Sequence, residues 1–279
     1  MKIGMRSDTY YFPGTKKVDY ARMKKHGYDC ADFQALNGCE GSFLNLPEEE
    51  MVEALKLELK AAKENGIEFS QVHGVWPTDD KTPEKRAETM ERMKKAVRGT
   101  AVLDGKYLVV HPQMPYGWGP EDDADEAERI NEEFFRELCA YAEGYNVGIC
   151  IENMPMKEHR LSRTCNMVAF VKRLNLPNLT MCLDTGHCNV YKDDCGEMVR
   201  LIGDKLTTLH VHDNTSRADE HLWPYSGNID WQSFKQALFD IGFTGCMSIE
   251  ADVSKNYPKS IREDMEIAMA KIAKSLAEI

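Results

Sequence analysis

The chain has 279 residues, 42% hydrophobic and 29% charged, and sets 46 acids against 35 Lys and Arg for a formal net charge of −11. That apolar fraction excludes a disordered chain, and no run approaches the roughly 18 apolar residues of a membrane helix. The acidic balance argues against a phosphate-backbone binder, and the length allows one large domain or two ordinary ones.

The opening MKIGMRSDTYYF has one Lys before a short apolar stretch and then Arg6 and Asp8, so no signal peptide is expected. Its KIGM, from Lys2, reads as a first strand, followed by a helical stretch at about 17–26 and a second strand, YDCADF, from Tyr28. After a loop at 34–46, PEEEMVEALKLELKAAKENG starts with acids behind Pro47 and stops at Asn65-Gly66, both helix signals. IEFSQVH from Ile67 is the third strand, and a helix starting at Thr82-Pro83 carries acids in its first turn, where the helix dipole favours them. KYLVVH from Lys106, a loop at 112–124 and the helix DEAERINEEFFRELCAYAEGY follow. VGICIE from Val147 leads through a loop at 153–163 to a helix at 165–175, and LTMCLD from Leu179 to one at 195–203. LTTLHVH from Leu206, a loop at 213–230 and a helix at 231–241 precede CMSIE from Cys246 and the closing helix PKSIREDMEIAMAKIAKSLAEI.

The strand runs are apolar without strict alternation, as strands buried on both faces of a parallel sheet read. Eight strand–helix units averaging roughly 35 residues predict an α/β fold, a single (β/α)8 TIM barrel over residues 1–279. A doubly wound sheet lacks support, because no G-x-G-x-x-G follows the first strand. The stretch from Gly99 to Lys106 is one residue too long for a phosphate loop and has Tyr107 where Ser or Thr is required. Nine Cys, an odd number with no C-x-x-C, predict reduced thiols and a cytoplasmic protein. Cys150, Cys182 and Cys246 sit in apolar strands and read as small core residues.

Six of the eight His fall at or near predicted strand ends: His73, His111, His187, His210, His212 and His221. His26 and His159 read as solvated surface. Glu152, Asp184 and Glu250 end the fifth, sixth and eighth strands, and in a parallel barrel these ends converge on one mouth. Carboxylates crowded into a low-dielectric pocket repel one another, and a divalent cation with Glu, Asp and neutral His as ligands relieves that repulsion. Three oxygen ligands and one nitrogen from Glu152, Asp184, His210 and Glu250 suit Mn²⁺, Mg²⁺, Co²⁺ or Zn²⁺. His212 shares a strand face with His210, as a ligand, a substrate contact or a donor behind the ligands.

The strings CIENMP (150–155), CLDTGH (182–187), LHVHDN (209–214), DEHLWPYSGNIDW (219–231) and MSIE (247–250) resemble the sugar phosphate isomerase/epimerase superfamily, with VHGVWP (72–77) and VVHPQ (109–113) in support. The superfamily has xylose isomerase-like barrels and includes ketose 3-epimerases, inosose-processing enzymes and apurinic-site endonucleases. The resemblance implies Glu152, Asp184, His210 and Glu250 as metal ligands, with Asp213 matching an acidic position after the histidine. It implies Glu152 and Glu250 as the acid/base pair of an isomerase or epimerase, working through an enediolate, and His187 as a catalytic contact to substrate.

The endonuclease branch implies a trinuclear zinc site, with further ligands matching His73, His111, His187, Asp219 and His221. The acidic charge, the aromatics Trp76, Trp118, Trp223 and Tyr225 near the mouth, and the lack of a basic cluster in the strand-end loops favour a small sugar-like substrate over nucleic acid. The epimerases place an Arg six residues after the seventh-strand His; here Ser216 stands there and Arg217 is one place late. A lyase acting on a sugar conjugate and an accessory subunit on the same barrel are the remaining alternatives, and barrels of this type can form homodimers.

Overall fold

The structure, a computed structural model, describes every residue except Asp252, Lys255 and Ile279. The predicted closing helix reaches Ile279, which lies outside the described residues. Eight strands form one parallel sheet: β1 (Lys2–Arg6), β2 (Cys30–Phe33), β3 (Glu68–His73), β4 (Tyr107–Val110), β5 (Gly148–Glu152), β6 (Leu179–Asp184), β7 (Leu206–His210) and β8 (Cys246–Ile249). They are ordered β7-β6-β5-β4-β3-β2-β1-β8. Val211 N donates to Ser248 O and Glu250 N to Val211 O, both at 2.9 Å, so the two outer strands join and close the barrel. That closure excludes the doubly wound alternative.

The helices are α1 (Tyr20–His26), α2 (Glu48–Glu64), α3 (Pro83–Val102), α4 (Ala124–Glu143), α5 (Thr164–Leu174), α6 (Thr185–Val190), α7 (Cys195–Ile202), α8 (Trp231–Asp240) and α9 (Lys259–Ala277). Local chemistry sets their starts. Thr82 Oγ1 accepts from Lys85 N ahead of Pro83 in α3, and Asp123 Oδ1 accepts from Asp125 N and Glu126 N in α4. Eight helices were expected, and α6 is the ninth among the described residues. It has six residues and starts directly at the end of β6, with Asp184 as its cap and no linker to announce it. The rejected phosphate-loop stretch is the end of α3 and a turn, with Gly99 packed against Leu36 and Leu55.

Two shifts of strand register aim side chains inward. Ala31 pairs with Phe69 but Asp32 pairs with Gln71, so Ser70 is an extra residue in β3. A bulge of this kind re-aims the side chains beyond it. Phe69 packs against Tyr20 and Phe33 in the layer between sheet and helices, whereas Gln71 reaches Asp32 and Leu209 O inside the barrel. Met181 pairs with Leu206 and Cys182 with Thr208, an equivalent shift ahead of His210.

Two histidines expected at the surface are buried. His26 Nδ1 meets the Tyr10 hydroxyl at 2.9 Å and lies 3.5 Å from Glu266, and His159 Nε2 meets Gly119 O at 2.7 Å. Each closes a contact between segments distant in sequence, which outweighs its charged neighbours in the chain. Cys150, Cys182 and Cys246 are buried as expected, and all nine cysteines are free.

Candidate metal centre

Every parallel strand delivers its C-terminal residue to the same mouth. Glu152, Asp184 and His210 are the last residues of β5, β6 and β7, and Glu250 directly follows β8. All four are buried, and one donor atom from each lies within 4.8 Å of the others. His210 Nδ1 is 2.7 Å from Glu152 Oε1 and 3.0 Å from Glu250 Oε2, while its Nε2 is 2.9 Å from Asp32 Oδ2. Asp184 Oδ1 accepts from His187 N at 2.6 Å and lies 3.0 Å from His212 Nε2. Asn153 crosses from the end of β5 to the backbone of Asp184, accepting from Asp184 N at 2.8 Å and donating to Asp184 O at 2.9 Å.

Two imidazole groups flank this tetrad. On one side Glu152 Oε2 meets His111 Nε2 at 2.9 Å, with His73 Nε2 4.0 Å away. On the other, Asp219 Oδ2 lies 3.2 Å from both His187 Nε2 and His221 Nε2, and His221 is stacked on His212 at 4.0 Å. His73, His111 and Glu152 form one further group with metal-ligand spacing, and His212, Asp219 and His221 another.

Charge balance supports a cation here. Burial alone would raise the Glu152 carboxyl, but the fields of His210 and His111 outweigh it and hold it well below its ordinary value. Against the same burial, His210 holds Glu250 low, with Arg6 and His221 adding. Burial would lower the imidazoles, yet His210 is driven well above its ordinary value by Cys182, Glu152, Glu250 and the bond to Asp32. His187 is pushed up to about 10 against burial by Asp184 and Asp219, and His221 to about 9 against burial by Asp219 and Glu250. Protonated imidazoles thus balance the carboxylates, and a divalent ion among Glu152, Asp184, His210 and Glu250 can do the same. The donor set fits a hard or borderline divalent metal.

The remaining expected residues separate. Trp76 is edge-on to His111 at 4.5 Å and to Trp118 at 5.1 Å, and Trp118 Nε1 donates to Asp79 at the rim. Arg217 is exposed on the loop after β7, outside the donor cluster. Asp213 faces away from the tetrad and anchors that loop, accepting from Trp231 Nε1 and Gly227 N, both at 3.0 Å.

Three contributors escaped the sequence reading. Arg6, at the end of β1, lies 3.6 Å from Glu250 Oε1 and is held by Asp8 through two hydrogen bonds. Asp32 stands behind His210, and Asn153 steadies Asp184. The signal available for Asp32 was the second acid of the run YDCADF, placed near its end.

A protein of Methanocaldococcus jannaschii without assigned function is 28% identical over 98% of this chain and 92% of its own. D-psicose 3-epimerase of Agrobacterium fabrum is 28% identical over 68% of this chain and 66% of its own, and inosose isomerase of Bacillus licheniformis 24% over 96% and 95%. Among solved structures, a D-psicose 3-epimerase in the presence of D-fructose superposes with a TM-score of 0.79 at 21% identity, covering 99% of both chains. The IOLI protein with a binding zinc atom superposes with a TM-score of 0.77 at 20% identity, covering 99% of this chain and 96% of its own. At these identities the structural likeness is one of fold. Residues 20–271 match the family described as "Xylose isomerase-like TIM barrel", and the chain belongs to that family.

Proposed function

We propose that this protein is a divalent-metal-dependent isomerase or epimerase of a sugar, sugar phosphate or inosose. The observation that carries the reading is the convergence of Glu152 Oε1 and Glu250 Oε2 on His210 Nδ1 from two different strands, at 2.7 and 3.0 Å. A bound divalent ion held by Glu152, Asp184, His210 and Glu250 would polarise the substrate's carbonyl and hydroxyl oxygens and so acidify the neighbouring C–H. One of the two glutamates removes that proton as base, and the other returns a proton to the opposite face as acid. His187, fixed through Nδ1 by Asn153 O at 2.7 Å, offers Nε2, 3.2 Å from Asp219 Oδ2, to a substrate hydroxyl that takes the place of that contact. Arg6, 3.6 Å from Glu250 Oε1, orients that carboxyl group, and the indole of Trp76 walls the side beyond His111. The names of the relatives, D-psicose 3-epimerase and inosose isomerase, support this class of substrate.

The test is proton exchange. Protein stripped with chelator and reloaded with Mn²⁺, Co²⁺, Mg²⁺ or Zn²⁺ is incubated in deuterated water with D-psicose, D-fructose or a keto-inositol. Deuterium at the carbon beside the carbonyl, seen by NMR only with metal, is the expected outcome. No exchange with any cation and any of these substrates would overturn the reading. It extends to a cytoplasmic protein, supported by the nine free cysteines, and to a homodimer, which gel filtration tests.

A second reading rests on the two flanking groups, His73–His111–Glu152 and His212–Asp219–His221. With a metal in each, the site becomes a trinuclear zinc phosphodiesterase. Three zincs per chain and cleavage of a duplex carrying an abasic site would establish it, and one metal per chain would remove it.

A further inference from the structure

We infer that Asp32 is a positioning residue for the metal centre, acting through His210. The inference rests on the metal-dependent reading above and assigns a role to a residue outside the donor groups. Asp32 is fully buried inside the barrel, where an unpaired carboxylate is costly. Its Oδ2 lies 2.9 Å from His210 Nε2 and accepts from Gln71 Nε2 at 3.2 Å, while Oδ1 has no hydrogen-bond partner among the described residues. His210 is the one basic side chain within ion-pair distance of it among the described residues.

The arrangement has a directional consequence. An imidazole whose Nε2–H donates to a carboxylate turns its other nitrogen, as a lone pair, toward a metal and becomes a stronger ligand. Here that other nitrogen is Nδ1, the atom facing Glu152 and Glu250. Gln71 steadies the acceptor by donating also to Leu209 O at 3.1 Å, which ties Asp32 to the backbone next to His210. The bulge at Ser70 is the device that turns Gln71 inward. The fold therefore spends a strand irregularity on a residue that supports the ligand from behind.

Metal affinity, read by competition with a fluorescent chelator for Mn²⁺ and Co²⁺, separates this role from a structural one. Asp32→Asn keeps the shape and removes the charge, and should bind metal about 10–100-fold more weakly with little change in melting temperature. In the double variant Asp32→Asn/His210→Gln the second change should add nothing to His210→Gln, since Asp32 acts only through the imidazole. Gln71→Leu, which leaves the charge in place, should weaken binding in the same direction by less, and covers the case in which Asp32→Asn fails to fold. Unchanged affinity in both Asp32→Asn and Gln71→Leu, or additive losses in the double variant, would overturn the inference. An unmodified protein that takes up neither ion would instead overturn the metal-dependent reading itself.

Discussion

The imidazole of His212 occupies the space a side chain on Gly186 would need: a Cβ there would lie 2.6 Å from Nε2 and closer still to Cε1. Gly186 is the second residue of α6, directly before His187, so the close approach lets Asp184 bind His212 from a strand end and cap a helix at once. Gly186→Ala should displace the ring, costing about 1–3 kcal/mol as overpacking and weakening metal binding. A variant with unchanged melting temperature and metal affinity would show that the ring moves freely.

Asp213 holds the loop that carries Asp219 and His221. Its carboxylate accepts from four donors among the described residues, Asn214 N, Gly227 N, Ile229 N and Trp231 Nε1, and is fully buried. Asp213→Ala orphans these groups and should destabilise the protein by about 3 kcal/mol, measured by urea unfolding. Because Asp213 stands apart from the tetrad, binding of the first metal equivalent should survive in the folded fraction. Loss of that equivalent with normal stability would make Asp213 a ligand after all.

Glu152→Gln and Glu250→Gln separate ligation from proton transfer. Each should retain metal at raised concentration yet lose isotope exchange by about 10²–10⁴-fold, the span of general acid–base catalysis. If the two glutamates work on opposite faces, the variants should differ between a substrate and its epimer. Equal and small losses at saturating metal would leave them as ligands alone.

The tetrad was legible because barrel topology does the work. Strings as far apart as Glu152 and Glu250 need only end on parallel strands to meet, and a polar residue closing an apolar run marks such an end. Asp32 was not legible, since its partners depend on a bulge in β3 that no residue type announces: Phe69 and Gln71 share parity yet face opposite sides. His26 and His159 failed for a related reason. Their neighbours in the chain are Lys, Glu and Arg, while the groups that bury them, Tyr10, Glu266 and Gly119, come from other elements. Short α6 hid inside the very motif that marked the site, where Asp184 is at once a strand end, a helix cap and a donor.

Burial away from the mouth gives stability a pH dependence of two signs. Glu58 in α2 is buried, and that burial raises its carboxyl above the ordinary value of 4.5, although Tyr20 OH at 2.9 Å and Val18 N at 3.4 Å donate to it. A raised folded value means its contribution is fully present below 4.5 and is lost as pH rises through the folded value. His26 is opposite: burial, with Arg22, lowers it below 6.5, so its contribution is present above 6.5 and is lost as pH falls through the folded value. Glu58→Gln keeps an acceptor for Tyr20 and cannot ionise. The variant should therefore gain on the parent in melting temperature at pH 8, by a few degrees for about 1 kcal/mol, and show no gain at pH 4. A gain that is the same at both pH values would mean that packing, rather than the buried charge, distinguishes the two side chains.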